Sequence, residues 1–501
     1  MGDEEQKPPS YEDLCANFSI DVPEYYNFGF DVIDAWAKKD RNKLAMIWVD
    51  QKGNEKKYTF FDLMRLSNQA VNICLKYGIK KGDRVMLMLP PRTPEWWIFV
   101  IALIKLGAVY CPPATTMLTP PKDLKYRIQA ADIRMIITMA EHADKVEEIR
   151  EECPPTLAVR LMIDGVRDGW VSYPVELDYP APCSHKLVNL PPGMHRTKAT
   201  DPLLIFFTSG TTGEPKMVVH NHSYPLGHLV TAQLWHDLHP NDLHLTLSDT
   251  GWGEERVGGN SSVSGSSAPA SLSMISGGAG STPPRSSRCW RSTGSRRSAA
   301  PPTIYRMLIL ADLDKFDLAD MRHCCSAGEA LNPPEVIRAW EEGTGRTIYE
   351  GYGQTETVLC IGTLPGMKPK PGSMGRPMPG WHIELHDDDG NPVGVGGEEG
   401  RIAINVEPRP VGLFSGYLNN SEENRKVFSG GFYYTGDKAY MDEDGYFWFI
   451  GRDDDVIKSS GYRIGPFEVE SASWSTRPSR RRRSSGRPTC SAGWSSRPSS
   501  S

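Results

Sequence analysis

One apolar run that leads into a glycine-rich loop restricts the fold more than any other feature of this sequence. Residues 203–207 are continuously apolar, and residues 208–216 (TSGTTGEPK) follow directly. Such a short run is typical of a strand buried on both faces, as in a parallel sheet covered by helices. Apolar runs at 85–89 and 135–138 alternate with helical segments, one of which has Thr93 as its N-cap. The sequence therefore predicts an α/β fold with parallel sheets and covering helices.

The sequence after Tyr349 has a different texture. Short alternating segments of apolar and polar residues, at 381–386, 400–406 and 445–450, are separated by Gly and Asp turns. We therefore expect a mainly β subdomain after the α/β part. Because a chain of 501 residues is too long for a single core, we also expect more than one domain.

Composition excludes several classes of protein. The formal net charge of -6 leaves no broad basic field for nucleic acid. The ten cysteines lack the spacing of a disulfide framework or a zinc site. The most apolar stretch, 96–111, contains Lys105 and is shorter than a bilayer span, so we predict a buried helix and strand and no membrane insertion. The acidic first residues do not resemble a signal peptide, and we expect a cytoplasmic enzyme.

Two segments break the α/β pattern. Residues from about 254 to 298 are rich in Ser, Gly, Pro and Arg, and residues 473–501 have the same texture, with no aliphatic side chain larger than alanine. This composition predicts that neither segment forms a packed core. One hypothesis is natural disorder, with the basic tail as an interaction arm. The other is a gene read out of frame, and on that hypothesis we expect the chain as written to fold poorly.

The loop at 208–216 is suited to binding polyphosphate. Its glycines allow backbone N–H groups to approach phosphate oxygens, its hydroxyls add donors, and Lys216 can neutralise charge as pyrophosphate leaves. A Walker A loop has four residues between its glycines and Lys directly after the second, whereas Gly210 and Gly213 are closer and two residues precede Lys216. The spacing argues against a P-loop ATPase or kinase. A flexible turn with an exposed lysine is the alternative interpretation.

Residues 208–216 resemble the phosphate loop of the adenylate-forming superfamily, which comprises acyl-CoA synthetases, peptide-synthetase adenylation domains and luciferases. The chain most resembles the medium-chain acyl-CoA synthetases of this AMP-forming group. Residues 350–356 (EGYGQTE) resemble the superfamily's second nucleotide motif, in which Glu356 would hold Mg²⁺. Taken alone, this motif could be a turn with a surface glutamate. The resemblance assigns the following residues of the two motifs to ATP: Thr208, Ser209, Gly210, Thr211, Thr212, Gly213, Glu214, Pro215, Lys216, Glu350, Gly351, Tyr352, Gly353, Gln354 and Thr355.

Two further motifs follow in the order that the superfamily has. Residues 434–437 (YTGD) resemble the motif whose aspartate accepts hydrogen bonds from the ribose hydroxyls, and residues 451–455 (GRDDD) resemble the motif whose arginine joins it. Taken singly, Asp437 could belong to an ordinary turn and Arg452 to a surface ion pair. Their common order and spacing favour nucleotide binding.

The resemblance also divides the chain into domains. It implies an N-terminal adenylation domain at 1–452, in which 254–298 is doubtful, and a hinge with the remnant of a truncated or scrambled C-terminal domain at 453–501. Residues 473–501 are expected to be disordered. The resemblance assigns these further roles: Asp454 as hinge, Ser460, Gly461 and Tyr462 as CoA contacts, Thr355 and Arg463 as substrate contacts, Gly328 with Glu329 as a turn beside the nucleotide, and Trp252 as a wall of the acyl pocket. The alternative for Gly328 and Glu329 is an ordinary helix start. The alternative for Trp252 is a buried structural tryptophan.

The resemblance implies a ligase. Such an enzyme joins a medium-chain or short branched carboxylic acid to CoA through an acyl-adenylate, releasing AMP and pyrophosphate. ATP, Mg²⁺ and CoA are then required, and Lys216, Thr355 and Glu356 are the expected catalytic residues. The family also uses a lysine late in its C-terminal domain, but the last lysine here is Lys458. The alternatives are an impaired protein that binds nucleotide or acyl groups, and an adenylating enzyme with an acceptor other than CoA.

Overall fold

The computed structural model describes residues 9–49, 54–89, 93–113, 119–178, 186–187, 193, 196–208, 214–239, 242–246, 271–274, 297–310, 313, 318, 321–328, 333–453, 457–459 and 462–464. Its α-helices are α1 (Tyr11–Asn17), α2 (Ala35–Lys39), α3 (Phe60–Lys76), α4 (Pro94–Leu106), α5 (Pro121–Ala130), α6 (Ala140–Glu148), α7 (Tyr173–Asp178), α8 (Tyr224–Gly227), α9 (Pro302–Leu308), α10 (Pro334–Thr344) and α11 (Ser421–Val427). Two π-helical segments, Gly29–Asp34 and Thr231–Trp235, and a 3₁₀ turn, Arg150–Glu152, accompany them.

The strands alternate with helices in the first half of the chain and follow one another in the second half. They are β1 (Leu44–Val49), β2 (Glu55–Thr59), β3 (Arg84–Met88), β4 (Val109–Cys111), β5 (Ile133–Thr138), β6 (Val159–Met162), β7 (Val171–Ser172), β8 (Pro202–Thr208), β9 (Lys216–Asn221), β10 (Leu243–Thr246), β11 (Ser271–Met274), β12 (Arg297–Ala299), β13 (His323–Ser326), β14 (Ile348–Gly353), β15 (Leu359–Gly362), β16 (Arg376–Pro377), β17 (Ile383–His386), β18 (Glu399–Asn405), β19 (Gly416–Tyr417), β20 (Phe428–Ser429), β21 (Phe432–Met441), β22 (Phe447–Arg452), β23 (Ile457–Ser459) and β24 (Tyr462–Ile464).

An eight-stranded sheet has the order β19-β9-β8-β4-β3-β5-β6-β7. Strand β3 pairs in parallel with β4 and β5, and β4 pairs in parallel with β8. The predicted β-α-β unit is confirmed, because α4 begins after Thr93 as its N-cap and ends at the left-handed Gly107, just before β4. Lys105 lies in the last turn of this buried helix, where its Nζ is 2.6 Å from Asp34. Among the residues described, no helix is long and apolar enough to span a membrane.

A nine-stranded sheet has the order β16-β15-β14-β13-β12-β10-β11-β1-β2. Strands β11 and β12 come from the serine-rich segment 254–298, and both pair in parallel with β10. The prediction that this segment stays outside the packed core is wrong at β12. All three residues of β12 are buried, and the guanidinium of Arg297 is neutralised by Asp242, 3.1 Å away, and Asp237, 2.6 Å away. Backbone pairing and these ion pairs hold β12 in the sheet without large apolar side chains.

The predicted β subdomain is a five-stranded antiparallel sheet, in which β21 pairs with β18, β20 and β22 and β17 pairs with β18. Its apolar side chains join one large core cluster with those of the α/β part. Tyr433 of β21 and Ile404 of β18 belong to the same cluster as Phe206 of β8 and Val71 of α3. This shared core fixes the two parts against each other. Beyond it, β23 and β24 form an antiparallel hairpin.

Candidate active site

A cavity of about 1280 Å³ lies where the three sheets meet. Its walls come from the start of β9, the end of β14 and the strands β21 and β22 with their flanking loops. Because these segments are far apart in the chain, only the folded protein can bring them together. The predicted site residues that line the cavity are Thr208, Lys216, Gly328, Gly353, Gln354, Thr355, Glu356 and Arg452.

The antiparallel pair β8–β9 determines where the phosphate loop begins and ends. Thr208, the last residue of β8, is the register partner of Lys216, the first residue of β9. Five predicted ATP-binding residues between them, Ser209, Gly210, Thr211, Thr212 and Gly213, lie outside the described residues. Of the remaining two, Glu214 is exposed, and the carbonyl oxygen of Pro215 accepts a hydrogen bond of 3.2 Å from the hydroxyl of Tyr126. The register thus places a hydroxyl and an ammonium at the two ends of the loop.

Lys216 has two partners that the sequence did not indicate. Its Nζ is 2.5 Å from Oε1 of Glu423 on α11 and 5.1 Å from the ring centroid of Tyr417. The side chain of Lys216 remains 34% exposed and that of Glu423 19% exposed. The lysine is therefore neutralised inside the protein yet still accessible from the cavity.

A buried carboxylate, Asp437, accepts hydrogen bonds from two side chains of the second nucleotide motif and from Arg452. Its Oδ2 accepts from the Tyr352 hydroxyl at 2.5 Å and from Gln354 Nε2 at 2.6 Å, and its Oδ1 accepts from Arg452 Nη1 at 3.3 Å. Asp437 is 4% exposed. Burial raises its pKa, whereas Arg452 opposes that rise by favouring the charged form. The resulting group combines an acceptor with fixed donors, which suits a vicinal diol.

The second nucleotide motif follows the strand β14 into the cavity. Glu350 and Gly351 are buried within this strand. A Cβ on Gly353 would lie 2.6 Å from the backbone oxygen of Val358, so the chain can turn tightly here only with glycine. Two residues after Gly353, the backbone carbonyl oxygen of Thr355 lies 2.7 Å from Nε2 of His220 in β9. This contact ties the second motif to the strand that carries Lys216.

Glu356 is linked to Lys216 through a shared aromatic neighbour. The Tyr417 hydroxyl donates a 2.9 Å hydrogen bond to Glu356 Oε1, and the same tyrosine ring faces the lysine ammonium. Desolvation raises the pKa of Glu356, while Tyr417, Lys216 and Arg452 act in the opposite direction. A carboxylate of this kind, directed toward nearby cations, is suited to a further positive charge.

Several predicted site residues stay untested by the geometry. Gly328 lines the cavity with φ of +91°, a left-handed conformation that favours glycine. Tyr462 and Arg463 lie on β24, where the backbone is described and the side chains are not. Glu329, Trp252, Asp454, Ser460 and Gly461 lie outside the described residues.

Comparison with known proteins gives the family. The family model described as "AMP-binding enzyme" matches residues 33–418. The chain belongs to the AMP-binding enzyme family. It is 41% identical over 475 residues to "Acyl-coenzyme A synthetase ACSM3, mitochondrial" of Rattus norvegicus, covering 92% of this chain and 78% of the relative. It is 41% identical over 468 residues to "Acyl-coenzyme A synthetase ACSM5, mitochondrial" of Homo sapiens, covering 90% and 76%.

Solved structures agree with this family at the level of the fold. The acyl-CoA synthetase of Brucella canis superposes with a TM-score of 0.78 at 29% identity, covering 92% of this chain and 83% of that chain. The anthranilate CoA ligase AuaEII, solved in complex with anthranoyl-AMP, superposes with a TM-score of 0.79 at 28% identity, covering 90% and 82%. The expected α/β fold and the resemblance to acyl-CoA synthetases are confirmed.

Sequence reasoning missed other residues that line the cavity of this AMP-binding enzyme. They include Tyr417 and Glu423 beside Lys216, and Trp235 and His236 at the end of a π-helical segment. Asn420 gives a partial signal, because Asn is a preferred N-cap and its side chain accepts from the backbone N–H of Glu423. That pattern predicts the helix, but it does not predict the partner of its glutamate.

Proposed function

We propose that this AMP-binding enzyme joins a carboxylic acid to CoA at the expense of ATP. A carboxylate oxygen attacks the α-phosphorus, the bond to the β-phosphate oxygen breaks, and acyl-AMP and pyrophosphate form. The CoA thiolate then attacks the acyl carbon, and AMP leaves as the thioester forms. The family match and the two named acyl-coenzyme A synthetases support this reaction.

The observation that carries the proposal is the meeting of Lys216, Glu356 and the Asp437–Arg452 pair around one cavity. Lys216 would face the β- and γ-phosphates and stabilise charge as pyrophosphate leaves. Asp437 would accept hydrogen bonds from the ribose hydroxyls. Thr355 would contact the α-phosphate and the reacting carboxylate. These positions would orient the carboxylate in line with the leaving group, which lowers the entropic part of the barrier.

Mg²⁺ fits Glu356. The carboxylate is only partly buried, receives one tyrosine hydrogen bond and has a raised pKa, so a cation would favour its charged form. Within the described part of the chain, no group of three His, Cys, Asp or Glu side chains could hold a metal. Mg²⁺ is commonly bound by one or two carboxylates together with substrate phosphates. When bound, the ion would neutralise phosphate charge.

The finer assignments rest on the family resemblance. We propose residues 1–452 as the adenylation domain and 453–501 as the hinge with a C-terminal remnant, and Asp454 as the point of rotation. Ser460, Gly461 and Tyr462 would contact CoA. Trp252 and Arg463 would contact the acid, and Gly328 with Glu329 would border the nucleotide. Medium-chain or short branched acids are the proposed substrates, and the cytoplasm is the proposed location, although both named relatives are called mitochondrial.

A second candidate function is a catalytically impaired protein that binds nucleotide or acyl-adenylate. It is favoured by the Ser- and Arg-rich residues 473–501, which contain no lysine where the resemblance places the start of the C-terminal domain. Removing a charge-stabilising contact from a transition state typically slows the reaction by about 10²- to 10³-fold. Binding of nucleotide would survive such a loss, because Lys216, Asp437 and Arg452 lie elsewhere.

A coupled measurement tests these two functions. The purified 501-residue chain is incubated with ATP, Mg²⁺, CoA and each of a series of straight and branched acids, and AMP, pyrophosphate and thioester are quantified. Equal amounts of the three products support the ligase. Adenylate and pyrophosphate without thioester indicate another acceptor, which assays with a carrier protein would identify. Tight binding of a non-hydrolysable acyl-AMP analogue without turnover supports the impaired protein. A chain that shows no binding and no turnover would refute both functions.

A further inference from the structure

The carboxylate of Glu423 forms an ion pair with Lys216 inside the proposed ATP site, where it competes with the ATP phosphates for the lysine. Both side chains line the cavity, and the Nζ–Oε1 distance is 2.5 Å. Because Glu423 occupies at least one of the three N–H donors of this ammonium, it competes with a bound triphosphate for the lysine. A ligand that uses all of the charge and donors of Lys216 has to displace Glu423 as its counter-ion.

The helix α11 fixes the position of Glu423. Asn420 caps this helix by accepting the backbone N–H of Glu423 at 3.1 Å. One turn further, the Asn424 side chain accepts from the backbone N–H of Tyr417 at 2.7 Å and donates to the backbone oxygen of Tyr417 at 2.8 Å. These contacts place the backbone of Glu423 near the lysine but use no atom of its carboxylate. The carboxylate can therefore rotate away from Lys216 without unfolding the helix.

Tyr417 is a neighbour of both the lysine and the proposed metal ligand. Its ring faces the ammonium of Lys216, and its hydroxyl donates to Glu356. Lys216 thus lies among two carboxylates and one ring, with Glu423 in direct contact.

We propose that Glu423 is a positioning residue that holds Lys216 in the nucleotide-free enzyme and gives it up to the β- and γ-phosphates of ATP. The inference rests on the function proposed above. Once pyrophosphate has been cleaved from the α-phosphate, Glu423 competes for the lysine again and favours pyrophosphate release. AMP lacks the β- and γ-phosphates, so its binding leaves the ion pair intact. Glu423 therefore lowers affinity for ATP and pyrophosphate selectively.

The substitution Glu423→Gln tests this competition, because it keeps the size of the side chain and removes its charge. Affinities for ATP, pyrophosphate and AMP are measured by isothermal titration calorimetry on the full chain. We expect ATP and pyrophosphate to bind about five-fold more tightly, the scale of a partly exposed ion pair, and AMP to change by less than about two-fold. Glu422→Gln, a change at the exposed neighbour on the same helix, is the matched control and leaves all three affinities unchanged.

A double-mutant cycle separates competition for Lys216 from general repulsion. In a Lys216→Met background the gain produced by Glu423→Gln falls below about two-fold, because the lysine for which Glu423 competes is gone. A merely structural role of Glu423 would not produce a gain that depends both on the polyphosphate and on Lys216.

The outcomes distinguish this inference from the function on which it rests. If the unsubstituted chain binds ATP and Glu423→Gln leaves that affinity unchanged or lowers it, the inference alone is overturned. An equal gain for AMP and ATP, or an equal gain with and without Lys216, also overturns it. Failure of the unsubstituted chain to bind ATP, pyrophosphate and AMP overturns the inference and the nucleotide-binding function together.

Discussion

Asp437 and Arg452 are register partners on the antiparallel strands β21 and β22, and their side chains form an ion pair of 3.3 Å beside the cavity. The acid is buried and the arginine is 45% exposed. Asp437→Asn removes the charged acceptor proposed for the ribose, and a hydrogen bond to a charged group contributes about 1.5 to 3 kcal/mol. We expect affinity for both AMP and ATP to fall at least about ten-fold by calorimetry. Asp444→Asn, at an exposed acid in the turn after β21, is the control and leaves both affinities unchanged.

Gly353 ends β14 immediately before the residues proposed to contact the nucleotide. A Cβ there would meet the backbone oxygen of Val358 at 2.6 Å, and a backbone atom cannot move as easily as a side chain. Gly353→Ala should therefore displace Gln354 and Thr355, weaken ATP binding at least about ten-fold and lower the melting temperature by several degrees. Gly394→Ala is the control, since no atom lies within 4 Å of its added Cβ. Equal affinities in the two variants would contradict the tight-turn role.

Lys105 and Asp34 form an ion pair inside the α/β part, far along the chain from the nucleotide motifs. Lys105 is fully buried, and its Nζ also donates to Ser67 at 2.9 Å and to Asn68 at 2.8 Å. Lys105→Met leaves the Asp34 carboxylate buried without its cation, which typically costs about 3 to 5 kcal/mol of unfolding free energy. Chemical denaturation measures the loss.

An exposed ion pair supplies the comparison for Lys105. Arg167 is 2.7 Å from Asp144, and these side chains are 37% and 89% exposed. Arg167→Met should change the free energy of unfolding by less than about 1 kcal/mol. Similar losses in the two variants would show that the buried pair contributes nothing beyond a surface contact.

Buried histidines make stability depend on pH. Burial lowers the pKa of His222 and His244 to about 3 and that of His323 to about 4, and it lowers the pKa of His236 well below its usual value. Below about pH 6.5 the unfolded chain binds protons at these rings and the folded chain does not, so stability falls as pH falls. Each linked proton contributes about 1.4 kcal/mol per pH unit. The loss continues until the pH passes the folded-state pKa values.

Unfolding followed at several pH values between 7.5 and 5 measures this effect. We expect the melting temperature to decrease steadily below pH 6.5. His244→Gln should make the fall of unfolding free energy with pH shallower by about 1.4 kcal/mol per pH unit, the contribution of one linked proton. A melting temperature that stays constant across this range would contradict the prediction that these rings remain neutral in the folded protein.

The gene sequence tests the reading-frame hypothesis. Residues 275–296 lie outside the described part of the chain, and β11 and β12 border them in the nine-stranded sheet. We expect another reading frame across the codons for 254–298 and for 473–501 to encode apolar β and α segments and a late lysine. Codons that give no such segments in any frame would support a natural serine-rich chain.

Local sequence predicted those parts of the fold whose hydrophobic period is strong. The strand β3, the helix α4 with Thr93 as its N-cap, and the strand β4 occur where they were predicted. The same is true of β8, which ends at the phosphate loop. These elements are predictable because each buries a face or a whole run within a short window, so neighbouring residues carry the pattern.

Tertiary contacts overruled composition in the serine-rich segment. Ser271–Met274 and Arg297–Ala299 pair with neighbouring strands although four of their seven residues are serine or arginine. Backbone hydrogen bonds do not depend on side-chain type, and the acids Asp237 and Asp242 neutralise Arg297. A composition rule counts the side chains of one segment and takes no account of what the rest of the sheet supplies.

The sequence by itself determined the phosphate loop, the second nucleotide motif and the order in which Asp437 and Arg452 follow them, because each motif lies within a few consecutive residues. Only the tertiary structure decided that Glu423 neutralises Lys216, that Tyr417 joins Lys216 to Glu356, and that Tyr352 and Gln354 hold Asp437. These pairs are separated by long stretches of chain, and such contacts depend on how three sheets pack around one core. Local patterns carry no information about that packing.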